Sequence, residues 1–137
     1  MTSLASMLAT VVTALQGSPL CRRVSVVQTE HFSNDQFAFK VRAEISDELT
    51  LQVRIYYNQG HYDYSYQLFS DVPLMRWDNK EHFASLASYP HHYHSEKGKI
   101  EPSPLTGEPS SDLLYVLEQV RQFLEGQESV QLRRSDK

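Results

Sequence analysis

The sequence predicts a single α+β domain, in which one antiparallel β-sheet carries an N-terminal and a C-terminal helix packed on one face. Segments with a two-residue hydrophobic period follow one another through the first half of the chain, and a segment with helical period stands at either end. At 137 residues the chain has the length of one domain. We expect the domain over residues 1–126, with four to six strands in a meander, and a polar, flexible tail over residues 127–137.

The two predicted helices place apolar residues at intervals of three and four. The first covers residues 4–16, and Ser3 or Thr2 is expected to cap it. The second is capped by a serine at 110–111 and ends at Gly126. Its apolar stripe is broad and consists of Leu113, Leu114, Val116, Leu117, Val120, Phe123 and Leu124.

Five segments are predicted to be strands from their alternation or their β-branched content, and they cover residues 22–30, 36–45, 49–55, 61–68 and 73–77. Short polar breaks at 46–48 and 58–60 indicate tight connections, so these strands should be antiparallel neighbours. Pro73 opens the last strand and favours a position at the sheet edge. Tyr62, Tyr64 and Tyr66 share one face and are expected to pack in the core.

Composition and charge exclude several classes of protein. Thirteen Lys and Arg against seventeen Asp and Glu give a formal net charge of −4, which excludes a uniformly basic nucleic-acid binder. The single cysteine, Cys21, excludes an intrachain disulfide and a four-thiolate zinc site, and the cytoplasm is the expected location. The apolar stretch over residues 4–15 is too short for a membrane span, so no membrane association is expected; its apolar stripe can pack on the sheet or form a homodimer.

The candidate chemistry lies on residues 76–99, within a region from Asp78 to Pro109 that has no sustained period and is expected to be ordered loop with at most one short strand. Four cations of this segment, Arg76, Lys80, Lys97 and Lys99, exceed its three carboxylates, Asp78, Glu81 and Glu96. Four of the six histidines of the chain also lie here, at positions His82, His91, His92 and His94. Clustered cations of this kind can serve a phosphodiester even in an acidic protein.

Three interpretations of the histidine cluster remain open on the residues alone. His92 and His94 project to one side of an extended backbone, so they can chelate a divalent metal such as zinc together with His82 or Asp78. Alternatively, one imidazole takes a proton from a ribose 2′-hydroxyl and another protonates the leaving oxygen, with no metal or other cofactor. In the third interpretation the imidazoles only brace an irregular loop through hydrogen bonds and stacking.

We favour the metal-independent chemistry, and it defines a set of candidate residues. The expected catalytic residues are His91, His92, His94, Arg76 and Asp78, with Arg76 or Lys97 stabilising phosphorane charge and Asp78 orienting a histidine. The expected substrate-binding residues are Asn79, Lys80, His82, Lys97 and Lys99. In the metal-binding alternative the ligands are His92, His94 and His82.

The runs Arg76-Trp77-Asp78-Asn79 and Pro90-His91-His92-Tyr93-His94, together with Tyr64-Ser65-Tyr66, resemble motifs of the TumE-type toxin family. The resemblance covers about residues 36–124, and the N-terminal helix through Leu20 stands outside it as an addition. The motif positions that carry over are Arg76, Asp78, Asn79, His91, His92 and His94, with His82 as a looser match.

The resemblance implies a small prokaryotic toxin of a toxin–antitoxin module, restrained by a cognate antitoxin for which a helix-turn-helix protein is the candidate type. From the residues themselves we predict that the toxin is a ribonuclease with RNA as its substrate. The alternatives are a non-enzymatic protein-binding module and a metal-binding domain that uses the His92-x-His94 pair.

Overall fold

A computed structural model describes residues 2–135 of the chain, with side chains described for residues 2–127, and confirms the predicted α+β class. One antiparallel sheet of seven strands runs in chain order, so that each strand pairs with the next. The elements are α1 (Leu4–Gln16), β1 (Arg23–Ser33), β2 (Gln36–Glu44), β3 (Thr50–Asn58), β4 (His61–Phe69), β5 (Pro73–Asp78), β6 (His92–His94), β7 (Ile100–Pro102) and α2 (Pro109–Ser135).

Tight turns set the register of the central strands. Gln59 and Gly60 form the whole connection between β3 and β4, and both have a positive φ, 48° and 88°. Two successive positive φ values give the turn whose twist matches that of the flanking strands, and glycine adopts them without steric cost. Asn58 is therefore opposite His61, and the pairing continues without a bulge to Thr50 and Phe69.

The hydrophobic core lies between the helices and one face of the sheet. The capping box of α1 joins Ser3 to Ser6, which confirms the predicted cap, and its buried side chains are Met7, Val11 and Leu15. The apolar stripe of α2 and the alternating apolar residues of β2, β3 and β4 join the same cluster. Tyr64 and Tyr66 belong to it too, as predicted. Because both helices pack on one face, the other face of the sheet carries polar side chains and stays open.

Two details of the predicted sheet are wrong. The sheet has seven strands because the histidine-rich region supplies two short ones, β6 and β7. Strand β5 is not an edge strand, since it pairs with β4 on one side and β6 on the other. Pro73 is tolerated because it stands at the first residue of β5, opposite Phe69, before the paired length that β6 covers.

The C-terminal helix is longer than predicted. It begins at Pro109, a favoured first helical residue, and continues through Gly126 to Ser135. The predicted end at Gly126 is wrong, because this glycine does not take the left-handed conformation that ends helices. Residues 127–135 of the predicted flexible tail are helical, and residues 136–137 lie outside the described part. No helix of the described residues is long and apolar enough to cross a membrane.

Packing of α1 into its own domain predicts a large cost for Leu15→Ala. Leu15 is fully buried, so its truncation should lower the free energy of unfolding by about 2–5 kcal/mol. Urea denaturation followed by circular dichroism measures this change. Gln16→Ala, at an exposed position of the same helix, is the control and should stay within about 0.5 kcal/mol of the parent. A loss below about 1 kcal/mol for Leu15→Ala would contradict the packing.

Candidate functional site

Strands β5 and β6 bring four of the predicted catalytic residues together on the open face. In the antiparallel pairing Arg76 lies opposite His94, and Asp78 lies opposite His92. Side chains two residues apart on a strand share a face, so the two pairs form one cluster. The intervening residues, Trp77 and Tyr93, stack on each other on the helix side with ring centroids 4.8 Å apart.

The Asp78 carboxylate is the centre of this cluster. It is 1% exposed, and one oxygen, Oδ1, lies 2.7 Å from His92 Nε2 and accepts a hydrogen bond from the Lys80 backbone N–H at 3.1 Å. Arg76 Nε lies 2.9 Å from the other oxygen, Oδ2, although its N–H is not aimed at that oxygen, and neither atom gains a hydrogen bond from the described residues. His94 Nε2 is 3.6 Å from Oδ2. Three nitrogen-bearing side chains thus share one buried anion.

His92 is the buried histidine of the cluster and lies against Asp78. Its ring is 2% exposed, and its second nitrogen, Nδ1, faces the Pro90 carbonyl oxygen at 3.2 Å. Both ring nitrogens of His92 therefore lie against oxygen atoms, Nε2 against the Asp78 carboxylate and Nδ1 against a backbone carbonyl. Phe83 packs edge-on against the ring with centroids 4.8 Å apart, and excludes water from it. His92 is thus a buried partner of Asp78 and is closed off from solvent.

Arg76 and His94 are the members of the cluster that reach solvent, with side chains 39% and 25% exposed. Arg76 Nη2 lies 3.1 Å from His94 Nε2, and because a guanidinium only donates, the imidazole nitrogen accepts. Burial, and after it the Arg76 charge, lower the pKa of His94 below its ordinary value of 6.5. The neutral imidazole is the form present at neutral pH, and it can accept a proton.

Of the two predicted completions of a metal site at His92 and His94, the structure brings Asp78 to the pair and leaves His82 outside it. Ligand atoms of Asp78, His92 and His94 lie within 4.8 Å of one another, whereas His82 does not join them. The Arg76 guanidinium lies against the same Oδ2 and Nε2 atoms that a metal would need. This cation from the chain itself supplies positive charge where a divalent ion would bind, and it repels such an ion.

His91 lies apart from the other histidines of its motif. Its Nδ1 is 2.7 Å from the Tyr64 hydroxyl, and the two rings stack, although Tyr64 belongs to the core on the helix side. Burial lowers the pKa of His91 and strongly raises that of Tyr64, so the hydroxyl donates and the imidazole accepts. His91 is the residue before β6, and its side chain lies on the helix side beside Tyr64, whereas His92, the first residue of β6, lies on the open face beside Asp78.

The predicted substrate-binding residues comprise one buried residue, Asn79, and four exposed ones. The Asn79 side chain is committed to the sheet: its Oδ1 accepts from the Tyr64 backbone N–H at 3.0 Å, and its Nδ2 donates to the Tyr62 carbonyl at 2.7 Å. It continues the β4–β5 pairing by one residue beyond the strand end. Lys80 and His82 are exposed and line a groove on the open face. Lys97 and Lys99 are exposed in the turn between β6 and β7.

Two residues that support the site were not singled out from the sequence. Phe83 covers His92 and also lies near His94 and His82, with centroids 6.1 and 6.2 Å away. Ser88 connects the loop to the residue that follows β7, since its hydroxyl donates to the His91 carbonyl at 2.5 Å and accepts from the Ser103 N–H at 3.0 Å. Neither carries a sequence signal, because a phenylalanine and a serine in a loop have no distinctive spacing.

The protein is a small α+β domain with helices on one face of its sheet and an Arg–Asp–His–His cluster on the other face. A family model described as Toxin TumE matches residues 9–127, and the chain belongs to this family. It is therefore a toxin component of a toxin–antitoxin module, and a cognate antitoxin is its implied partner. No curated protein and no solved structure shows a significant match.

Family membership confirms the predicted resemblance but corrects its extent. The match starts at residue 9, inside α1, so the N-terminal helix is largely within the family pattern and is not an addition. The packing explains why: α1 contributes Met7, Val11 and Leu15 to the same core as the sheet and α2.

Removal of the Asp78 charge is expected to destabilise the domain. Asp78→Asn keeps the shape of the side chain but leaves the buried His92 and Arg76 without their anion, so the free energy of unfolding should fall by about 3–5 kcal/mol. Urea denaturation at pH 7.5 measures the loss. Asp63→Asn removes an exposed carboxylate and should change stability by less than about 0.5 kcal/mol. Equal effects of the two variants would refute the central position of Asp78.

The lowered pKa values of His91 and His94 predict a loss of stability on acidification. The unfolded chain binds protons at these sites near the ordinary value of 6.5, whereas the folded chain binds them only at lower pH. Between these values the unfolded state holds more protons, so stability falls as the pH decreases below about 6.5. Melting temperatures from pH 8 to pH 5 test this. The double variant His91→Gln/His94→Gln should flatten the dependence, and an unchanged slope would contradict the assignment.

Proposed function

We propose that this toxin cleaves RNA without a metal, at the surface formed by Arg76 and His94. The observation that carries the proposal is that an accessible guanidinium and an accessible imidazole with a lowered pKa contact each other above a buried carboxylate. A cation that binds phosphate and a base that is neutral at physiological pH are the two groups that transesterification of a phosphodiester needs.

Contact between Arg76 and His94 couples substrate binding to activation of the base. In the free protein Arg76 Nη2 donates to His94 Nε2 and occupies its lone pair. A phosphate that binds Arg76 draws this donor away, because a charge-assisted hydrogen bond to an anion is stronger than one to a neutral nitrogen. Nε2 then accepts the proton of the 2′-hydroxyl. Asp78 and His92 keep both side chains in position through this exchange.

The covalent step follows from that proton transfer. The 2′-oxygen forms a bond to phosphorus while the bond from phosphorus to the 5′-oxygen breaks, and Arg76 stabilises the negative charge on the phosphorane oxygens. The leaving 5′-oxygen takes a proton from the protonated form of His82. This assignment is supported by the Phe83 ring, since the His82 and His94 rings lie 6.2 and 6.1 Å from it between centroids. The products are a 2′,3′-cyclic phosphate and a 5′-hydroxyl.

Substitution of His94 tests the proposal directly. His94→Gln removes the base and should reduce the rate of RNA cleavage by at least about 10²-fold, and Arg76→Gln should have a comparable effect. His61→Gln, an exposed histidine at the far end of β4, is the matched control and should retain the rate. Cleavage is measured by gel electrophoresis of a labelled RNA with purified protein in EDTA.

Three outcomes would contradict the proposed chemistry. Intact RNA after incubation with folded wild-type protein excludes RNA cleavage. Cleavage that His94→Gln leaves unchanged excludes His94 as the base. Activity that EDTA abolishes and zinc restores would favour the metal-binding alternative, with Asp78, His92 and His94 as ligands.

A further inference from the structure

Two rows of side chains cross the open face of the sheet and end at the candidate site. Residues directly opposite each other in antiparallel strands share a face, so the register can be followed from strand to strand. The first row consists of Gln28, Lys40, Arg54, Ser65, Asp78 and His92. The neighbouring row consists of Ser25, Arg42, Gln52, Gln67, Arg76 and His94.

These rows hold the cations of the open face in line with the site. Lys40 and Arg54 are neighbours in the first row, and Arg42 and Arg76 belong to the second. With strands about 4.8 Å apart, the span from Lys40 on β2 to His92 on β6 is about 19 Å. The cations thus form a track of several nucleotides' length that is perpendicular to the strands. The acidic total charge of the chain does not reveal this track, which depends on where the individual cations lie on the sheet.

Charges of the track are available to a ligand. Lys40 and Arg54 make no ion pair with any side chain over residues 2–127, and both line an open groove of about 960 Å³. Lys80 and His82 line the same groove at its end near the candidate site. The groove therefore connects free cations on β2 and β3 to the loop that covers His92.

Acidic side chains mark one border of the track. The next row consists of Glu30, Ala38, Tyr56 and Asp63, and it runs along the same groove. Its two carboxylates repel a polyanion and direct it onto the cationic rows. Tyr56 stands between them as an aromatic side chain beside Arg54, in a position where a base can stack while its phosphate contacts the guanidinium.

We infer that a single strand of RNA lies across the open face, with its phosphates on Lys40, Arg42 and Arg54 and its cleavage point at Arg76 and His94. This inference rests on the proposed function and adds its substrate class. A single strand fits because its phosphates and unpaired bases can both face a shallow sheet surface, as in other open-sheet RNA-binding domains. The cations are charge-complementary to a polyanion and lie in line with the reactive pair.

The test measures how binding depends on salt. The probe is a single-stranded oligonucleotide with 2′-O-methyl groups, which keeps the phosphates and bases but has no 2′-hydroxyl to react. Each phosphate contact contributes about 0.7 to the slope of log affinity against log salt concentration. Lys40→Gln/Arg54→Gln should therefore reduce that slope by about 1.4. Arg121→Gln, which removes a cation paired with Glu118 and Glu125 on α2, is the control and should leave the slope unchanged.

Cleavage of unmodified RNA, measured with the same proteins, separates this inference from the proposed function. If wild type cleaves RNA and the double variant binds with the slope of Arg121→Gln, the track is refuted and the cleavage stands. If the slope falls as expected while unmodified RNA stays intact, the track stands and the cleavage chemistry is refuted. If the double variant loses affinity for the purified cognate antitoxin and none for RNA, the open face is a protein interface and the inference is overturned.

Discussion

The buried carboxylate of Asp78 is the interaction on which the site depends. It lies where the last residue of β5 meets the first residue of β6, and it contacts Arg76 from its own strand and His92 from the neighbouring one. A buried anion is costly unless cations and hydrogen-bond donors compensate its lost hydration. The electrostatic attraction that compensates the Asp78 carboxylate therefore also holds these partners in place. The Asp78 carboxylate therefore sets the positions of the Arg76 and His94 side chains relative to each other.

One-sided packing leaves Arg76 and His94 of this cluster accessible to solvent. Both helices cover the same face of the sheet, and the core is complete without the other face. A β-strand alternates its side chains between faces, so the strands that build the core also present a second set of residues to solvent. On this open face the polar residues are free to bind, and the loop over residues 79–91 covers only the end where His92 is buried.

Local patterns predicted the framework well and the site only in part. The hairpins from β2 to β4 follow from alternation and from the two-residue turn at Gln59 and Gly60, both of which are short-range features. The grouping of Arg76 with Asp78 also follows, since they are two residues apart on one strand. The separation of His91 from His92 was not predicted, because it depends on which residue pairs with Asp78, and a shift of that register by one residue would exchange their faces.

The sequence alone determined the class of the fold, the helix on each end and the polar character of one sheet face, because periodicity and turn chemistry act over a few residues. Tertiary structure decided which cations and imidazoles meet. Strand β6 pairs with β5 across the whole loop from Asn79 to His91, and no local pattern encodes that pairing. This pairing makes β5 an inner strand and buries His92. It also brings His94 beside Arg76, at the end of the row of open-face side chains that begins with Ser25 on β1.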